Sequence, residues 1–163
     1  PNSGIDYTNP LKNLTYRIES WDASLFQTLQ DLQTKYKNVI WIGDINVAPT
    51  ELDVSHPKVF ARHAGFTQEE RDSFAGFIQQ SGWIDVWRHQ HPQQIGYTFK
   101  GYKGYRYRLR LDNCVITPNL LSRVKESTIY PDKDFLESDH NPLSIFLSNT
   151  YFSDMIRSKS FIY

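Results

Sequence analysis

One cysteine, Cys114, and one methionine, Met155, are the only sulfur-bearing residues among 163. A lone thiol excludes an internal disulfide and a cysteine-built zinc cluster, and it suits a reducing, intracellular setting, whether nucleus, organelle or cytosol. Net charge is lacking as well. The 18 basic residues balance 18 acidic ones, so any affinity for nucleic acid must come from local clustering. Long apolar runs are missing too. The densest, Val39–Ile42 and Leu143–Leu147, fall far short of the ~18–20 residues of a membrane-spanning helix. A membrane is therefore not an expected partner. What is present is a globular composition, 39% apolar and 22% charged. A chain of this length buries roughly 68–70% of the surface it exposes unfolded, enough for one domain without staples.

The pattern along the chain is that of an α/β unit. Residues up to about 18 carry Gly4, Asn9 and Pro10 and read as a loop. Trp21, Leu25, Leu29, Leu32 and Tyr36 recur at three- and four-residue spacing, which predicts one apolar face of a helix over about 20–37. The run Val39-Ile40-Trp41-Ile42, stopped by Gly43, lacks polar alternation and predicts a strand buried on both faces. A loop with Pro49 and Pro57 extends to about 66. Thr67 and Glu70 have capping-box spacing, Phe74, Phe77 and Ile78 share one face, and Gly82 is a helix stop. A short strand is expected near Tyr97–Phe99. From Tyr105 the chain alternates, with Tyr105, Tyr107, Leu109 and Leu111 facing one way and Arg106, Arg108, Arg110 and Asp112 the other. Two further strands are expected at about 125–130 and 142–148.

Three acid-bearing motifs lie beside these strands. Gly43-Asp44-Ile45-Asn46 follows the first, at the carboxyl end where α/β proteins gather ligands. Ser138-Asp139-His140-Asn141 precedes the last. Asp112 stands on a strand face otherwise lined by arginines. Singly, each has a plainer reading: a turn, a capping pair, a surface ion pair. Together they suggest phosphoester hydrolysis assisted by an oxygen-bound cation, and Mg²⁺ suits a site with few carboxylates because it keeps several waters. Between Tyr97 and Arg110, Lys100, Lys103, Arg106, Arg108 and Arg110 interleave with Phe99, Tyr102, Tyr105 and Tyr107. Such a stretch can neutralise phosphates and stack on bases, or it can be the basic face of a hairpin.

Pro1-Asn2-Ser3-Gly4, Tyr16-Arg17, Trp21-Asp22, Gly43-Asp44-Ile45-Asn46-Val47-Ala48, Asp53, Ala64-Gly65-Phe66-Thr67, Glu70-Arg71, Tyr97-Thr98-Phe99, Arg110-Leu111-Asp112 and Ser138-Asp139-His140 occur in that order. This set resembles the exonuclease III family of abasic-site DNA endonucleases, over about residues 1–148. The resemblance implies a four-layer α/β sandwich, two β-sheets flanked by helices, and cleavage of DNA 5′ to an abasic residue or from a 3′ end. It implies that Asp44 orients or deprotonates the attacking water and that Asn46 steadies the phosphate. His140 would contact the scissile phosphate, with Asp112 holding its imidazole. Asp139, with Asp44, would hold Mg²⁺, with Mn²⁺ as a substitute. Asn2, His63, Phe99, Arg106, Arg108 and Arg110 are the expected phosphate and DNA contacts.

The chain departs from the family pattern at Leu109, where an aromatic helps line the abasic pocket, and at His63, Lys100 and Asn113. These departures keep open a phosphatase or RNA-directed nuclease of the same superfamily, and a non-catalytic nucleic-acid-binding remnant. The family's first half supplies a catalytic Asn and the main metal-binding Glu. Glu51, Glu69, Glu70 and Glu126 instead read as loop or helix-surface residues. The expectation is thus the C-terminal portion of a longer protein, monomeric when complete, whose sheet has one apolar face awaiting the rest. The role of 149–163 is left open.

Overall fold

The computed structural model describes residues 2–4, 8–100, 107–130 and 138–149. Helix formation begins earlier than the apolar spacing indicates. Leu14–Tyr16 (α1) runs into a π-helical turn, Arg17–Asp22, and then into Ala23–Lys35 (α2). The buried face is also rotated from the expected one. Leu29 is buried, but Trp21, Leu32 and Tyr36 are exposed, and Phe26 turns inward to stack on Phe77 at 4.4 Å between ring centroids. Trp21 sits within the wider pitch of the π turn and Tyr36 is the extended C-cap beyond α2, so neither keeps the helical phase of Leu25 and Leu29.

Ile40–Asp44 (β1) pairs antiparallel with Asp112–Ile116 (β3), and β3 pairs with the short Ile84–Asp85 (β2), giving the order β1-β3-β2. A second, two-stranded sheet joins Val124–Ile129 (β4) to Leu143–Leu147 (β5). The expected α/β architecture with two sheets and flanking helices is the one observed. Two strand expectations need correction. β1 is buried on one side only, because Ile40 and Ile42 stay 39% and 48% exposed. The alternation from Tyr105 does not continue into β3: Leu109, Arg110 and Leu111 are all buried, and Cys114, Val115 and Ile116 form a continuous buried run.

Pro57–Phe60 (α3) and a 3₁₀ turn at Glu51–Asp53 interrupt the expected loop. Gln68–Ser81 (α4) has the expected ends. Thr67 and Glu70 close a capping box, and Gly82 ends the helix in the left-handed region at φ +71°. Val86–Gln90 (α5) and a 3₁₀ turn at Pro118–Arg123 complete the described elements. One apolar cluster (Leu29, Ile45, Val47, Phe74, Phe77, Trp83 and Val115) joins α2 and α4 to the three-stranded sheet. Another (Val86, Cys114, Ile116 and Leu120) joins that sheet to Leu143 and Ile145 of the second. Each such side chain contributes roughly 1.5–3 kcal/mol on burial. No helix among the described residues is long and apolar enough to cross a membrane.

Candidate active site

The β1–β3 register sets Asp44 opposite Asp112 at the end of the ladder. Beyond β1 the chain turns sharply: Asp44 Oδ1 accepts the Asn46 amide at 2.9 Å, and Asn46 takes φ +56°, a conformation asparagine tolerates better than most residues. Asn2 Nδ2 reaches Asn46 Oδ1 at 3.4 Å, so the amides of two distant segments adjoin.

Asp112 is held from behind. The Thr98 hydroxyl oxygen accepts both the Leu111 and the Asp112 amides at 2.9 Å. Phe99 then bridges Leu109 on one side and His140 on the other, which carries the Ser138–His140 segment to the same end of the sheet. There His140 Nδ1 donates to Asp112 Oδ2 at 2.7 Å, and the Phe99 ring lies 5.1 Å from the imidazole. That bond holds the His140 pKa above its ordinary value. Burial works against it, and the charges of Asp112, Asp44 and Asp139 reinforce it. Asp44 is pushed up by burial first and by the Asp112 charge second, while the Asn46 amide and His140 oppose the shift. The three acid-bearing segments thus share one electrostatic neighbourhood.

Asp44, Asn46, Asp112 and His140 are brought together, with Asn2 adjoining and exposed Asp139 within electrostatic range of His140. The expected nucleic-acid contacts are more scattered. Phe99 belongs to the site. His63 is exposed in the turn before Gly65, 5.4 Å from the Phe60 ring. Arg108 lines a cavity of about 620 Å³ beside Trp87, Tyr97 and Tyr130. Arg106 lies outside the described residues, as do Tyr102, Lys103 and Tyr105. Lys100 is buried. Arg110 requires correction. It is fully buried, with Nε on Asp53 at 2.7 Å, a second nitrogen on Asp85 at 2.7 Å and a further bond to Asn113, so it has no surface to offer DNA.

Glu70 also departs from expectation. It is buried rather than on the helix surface, and its carboxylate accepts bonds from the Gly65 and Thr67 amides, the Thr67 hydroxyl and the Ser3 hydroxyl. The capping box thereby tethers the segment that carries Asn2. Thr98 and Asn113 are support residues that pattern reading misses, because nothing in a short polar side chain shows which backbone groups it will bond.

Among the described residues no group of three or more His, Cys, Asp or Glu could by itself hold a metal ion. A closed zinc-type cage does not fit. The oxygen donors present, Asp44 beside Asp112 and the nearby Asp139, are of the kind a largely hydrated cation uses, one or two carboxylates with water filling the other positions.

A domain of two antiparallel sheets carrying an acid–histidine–amide cluster at its strand ends has a defined set of relatives. The chain is 39% identical over 150 residues to a DNA-(apurinic or apyrimidinic site) endonuclease of Dictyostelium discoideum, covering 89% of this chain and 40% of that one. It is 33% identical over 143 residues to an exodeoxyribonuclease of Bacillus subtilis, covering 85% and 55%. Its structure matches the AP endonuclease LMAP of Leishmania major with a TM-score of 0.81 at 30% identity, covering 91% of this chain and 48% of that one. An AP endonuclease of Archaeoglobus fulgidus matches with a TM-score of 0.75 at 27% identity. No protein-family model matches. The chain is a homologue of abasic-site DNA endonucleases and exodeoxyribonucleases, as its residues indicate, and it spans about half the length of these relatives.

Proposed function

We propose that this chain forms part of an intracellular DNA-repair nuclease that hydrolyses phosphodiester bonds at abasic sites or at 3′ ends of duplex DNA. The observation that carries this reading is the His140–Asp112 bond at the end of the ladder where Asp112 opposes Asp44. With Nδ1 committed to Asp112, His140 presents Nε2 to the scissile phosphate, and Asp112 fixes the ring's tautomer and orientation. Asp44 orients or deprotonates the attacking water. Asn46, next to Asn2, donates to the phosphate oxygens as negative charge builds on them. Such a site works by positioning and charge stabilisation and needs no covalent intermediate.

Asp139 and Asp44 are the residues that would hold a hydrated Mg²⁺, or Mn²⁺ in its place. When bound, the ion supplies positive charge against the developing oxyanion. With few carboxylates to grip it, this chain alone binds the ion weakly and cleaves little or nothing. The exposed Ile40 and Ile42 on β1 are the seat for the remainder of the catalytic protein, which is monomeric when complete. Residues 1–148 belong to that catalytic unit.

The test is incision of a duplex carrying one abasic residue, with Mg²⁺ present and the chain in its full-length context. His140→Ala and Asp44→Ala are expected to lower the rate by orders of magnitude with melting temperature nearly unchanged. Near-normal rates in either variant contradict the assignment. RNA and phosphoinositide substrates run in parallel decide the substrate class.

A further inference from the structure

The loop that carries Asp44 and Asn46 is gripped from beneath by a buried ion pair to which neither the resemblance nor the proposed chemistry gives a role. Arg17 donates through Nε to Asp22 Oδ1 at 2.7 Å and through a terminal nitrogen to the Ile45 carbonyl at 2.8 Å. Asp22 is steadied in turn by the Ser73 hydroxyl of α4 at 2.7 Å. The Arg17 and Asp22 side chains are 4% and 3% exposed. Two charges at that depth carry a desolvation cost that a neutral packed pair would avoid, so they are weak evidence of a stabilising role.

Their spacing is unusual as well. Residues five apart diverge by about 140° around an α-helix. The π turn Arg17–Asp22, with its i→i+5 closure, brings both onto one face. That turn makes a guanidinium fork available at the one carbonyl between Asp44 and Asn46. The grip is complete on every side of Ile45. Its amide donates to the Leu111 carbonyl at 3.0 Å, its side chain is in the core, and its carbonyl is on Arg17. A non-glycine residue at φ +56°, such as Asn46, persists where its surroundings over-determine it.

We infer that Arg17, braced by Asp22 and Ser73, is a positioning residue that sets the Asp44–Asn46 turn for catalysis. It acts through the Ile45 backbone and touches no substrate. Lysine keeps the charge but cannot bond Asp22 and the Ile45 carbonyl as one planar fork. The inference rests on the proposed roles of Asp44 and Asn46, so its test has one arm that requires no activity.

Arg17→Lys is compared with Leu120→Ala, a core change in the separate Val86, Cys114, Ile116 and Leu120 cluster that lowers stability without touching the turn. In amide hydrogen exchange, Arg17→Lys is expected to speed exchange at Ile45 by about tenfold more than at the β1–β3 ladder amides, whereas Leu120→Ala speeds both alike. In full-length incision kinetics, Arg17→Lys is expected to lower kcat by about 10–100-fold with KM within about twofold. Should Arg17→Lys fail to fold, Ser73→Ala is expected to show the same selective loss of protection at Ile45, by a smaller factor. Uniform loss of protection, or none at Ile45, in the variant that folds overturns the inference. A wild-type protein that does not cleave DNA counts against the proposed function, while the exchange arm still decides whether the clamp exists.

Discussion

Asp112 shows how far a single residue depends on its supports. Its carboxylate faces His140 because Thr98 fixes the backbone at Leu111 and Asp112, and because the Phe99 bridges bring His140 alongside. Thr98→Val keeps the shape but leaves two backbone donors without their acceptor. It is expected to cost about 1–3 kcal/mol per buried unpaired group, read as a drop in melting temperature. Asp112→Asn retains the shape and removes the charge that orients His140, and a loss of incision rate on the order of 10–100-fold is expected in full-length kinetics. An unchanged rate would mean that the imidazole needs no such partner. That Asp44, Asp112 and His140 lie together follows motifs legible in the sequence, two of them marked by Gly43 and Pro142 at the strand ends. Arg110 is not legible. Alternation assigns it to a polar face, and only the tertiary placement of Asp53 and Asp85 draws it inside.

Elements with strong local signals come out as written, and those set by packing do not. α4 has both its cap and its stop, since Thr67, Glu70 and Gly82 act on their own neighbourhood. Gly82→Ala places a side chain at φ +71° and is expected to cost about 1–2 kcal/mol in chemical denaturation, with no change in the site. A neutral outcome would show that the stop does not depend on that conformation. Spacing places Trp21 on the apolar face of α2, and the π turn takes that residue out of phase with the helix. β3 escaped the alternation rule because it is the central strand, buried by α5 and β5 on one face and by the aromatic cluster on the other. In β1 the opposite holds: an apolar run that reads as doubly buried keeps Ile40 and Ile42 exposed, because neither sheet nor helix among the described residues covers that face.

At the scale of the molecule, two properties follow from the buried charges and the open face. Burial alone would push the Asp53 carboxyl up, but hydrogen bonds and charge from Arg110, with further bonds from Thr50 and Arg88, hold it below its ordinary value of 3.8. Its contribution to stability is therefore present above that value and is lost as pH falls through the depressed folded-state value. Asp53→Asn is expected to lower stability at neutral pH by on the order of 3–5 kcal/mol and to flatten the acid limb of the stability–pH curve. An acid limb identical to wild type would place that proton uptake elsewhere. Because Ile40 and Ile42 are exposed, this chain is expected to self-associate with rising concentration in sedimentation, and Ile42→Glu is expected to abolish that association. Persistent association in the variant would shift the sticky surface to another part of the molecule.

The most direct test asks whether the converging side chains act as one unit. Single-turnover incision of an abasic-site duplex with Mg²⁺ is measured, in the full-length context, for Asp112→Ala, His140→Ala and the double variant. In the proposed mechanism Asp112 works through the imidazole it holds, so the double variant is expected to be no slower than His140→Ala alone. Rate losses that multiply independently would contradict the account.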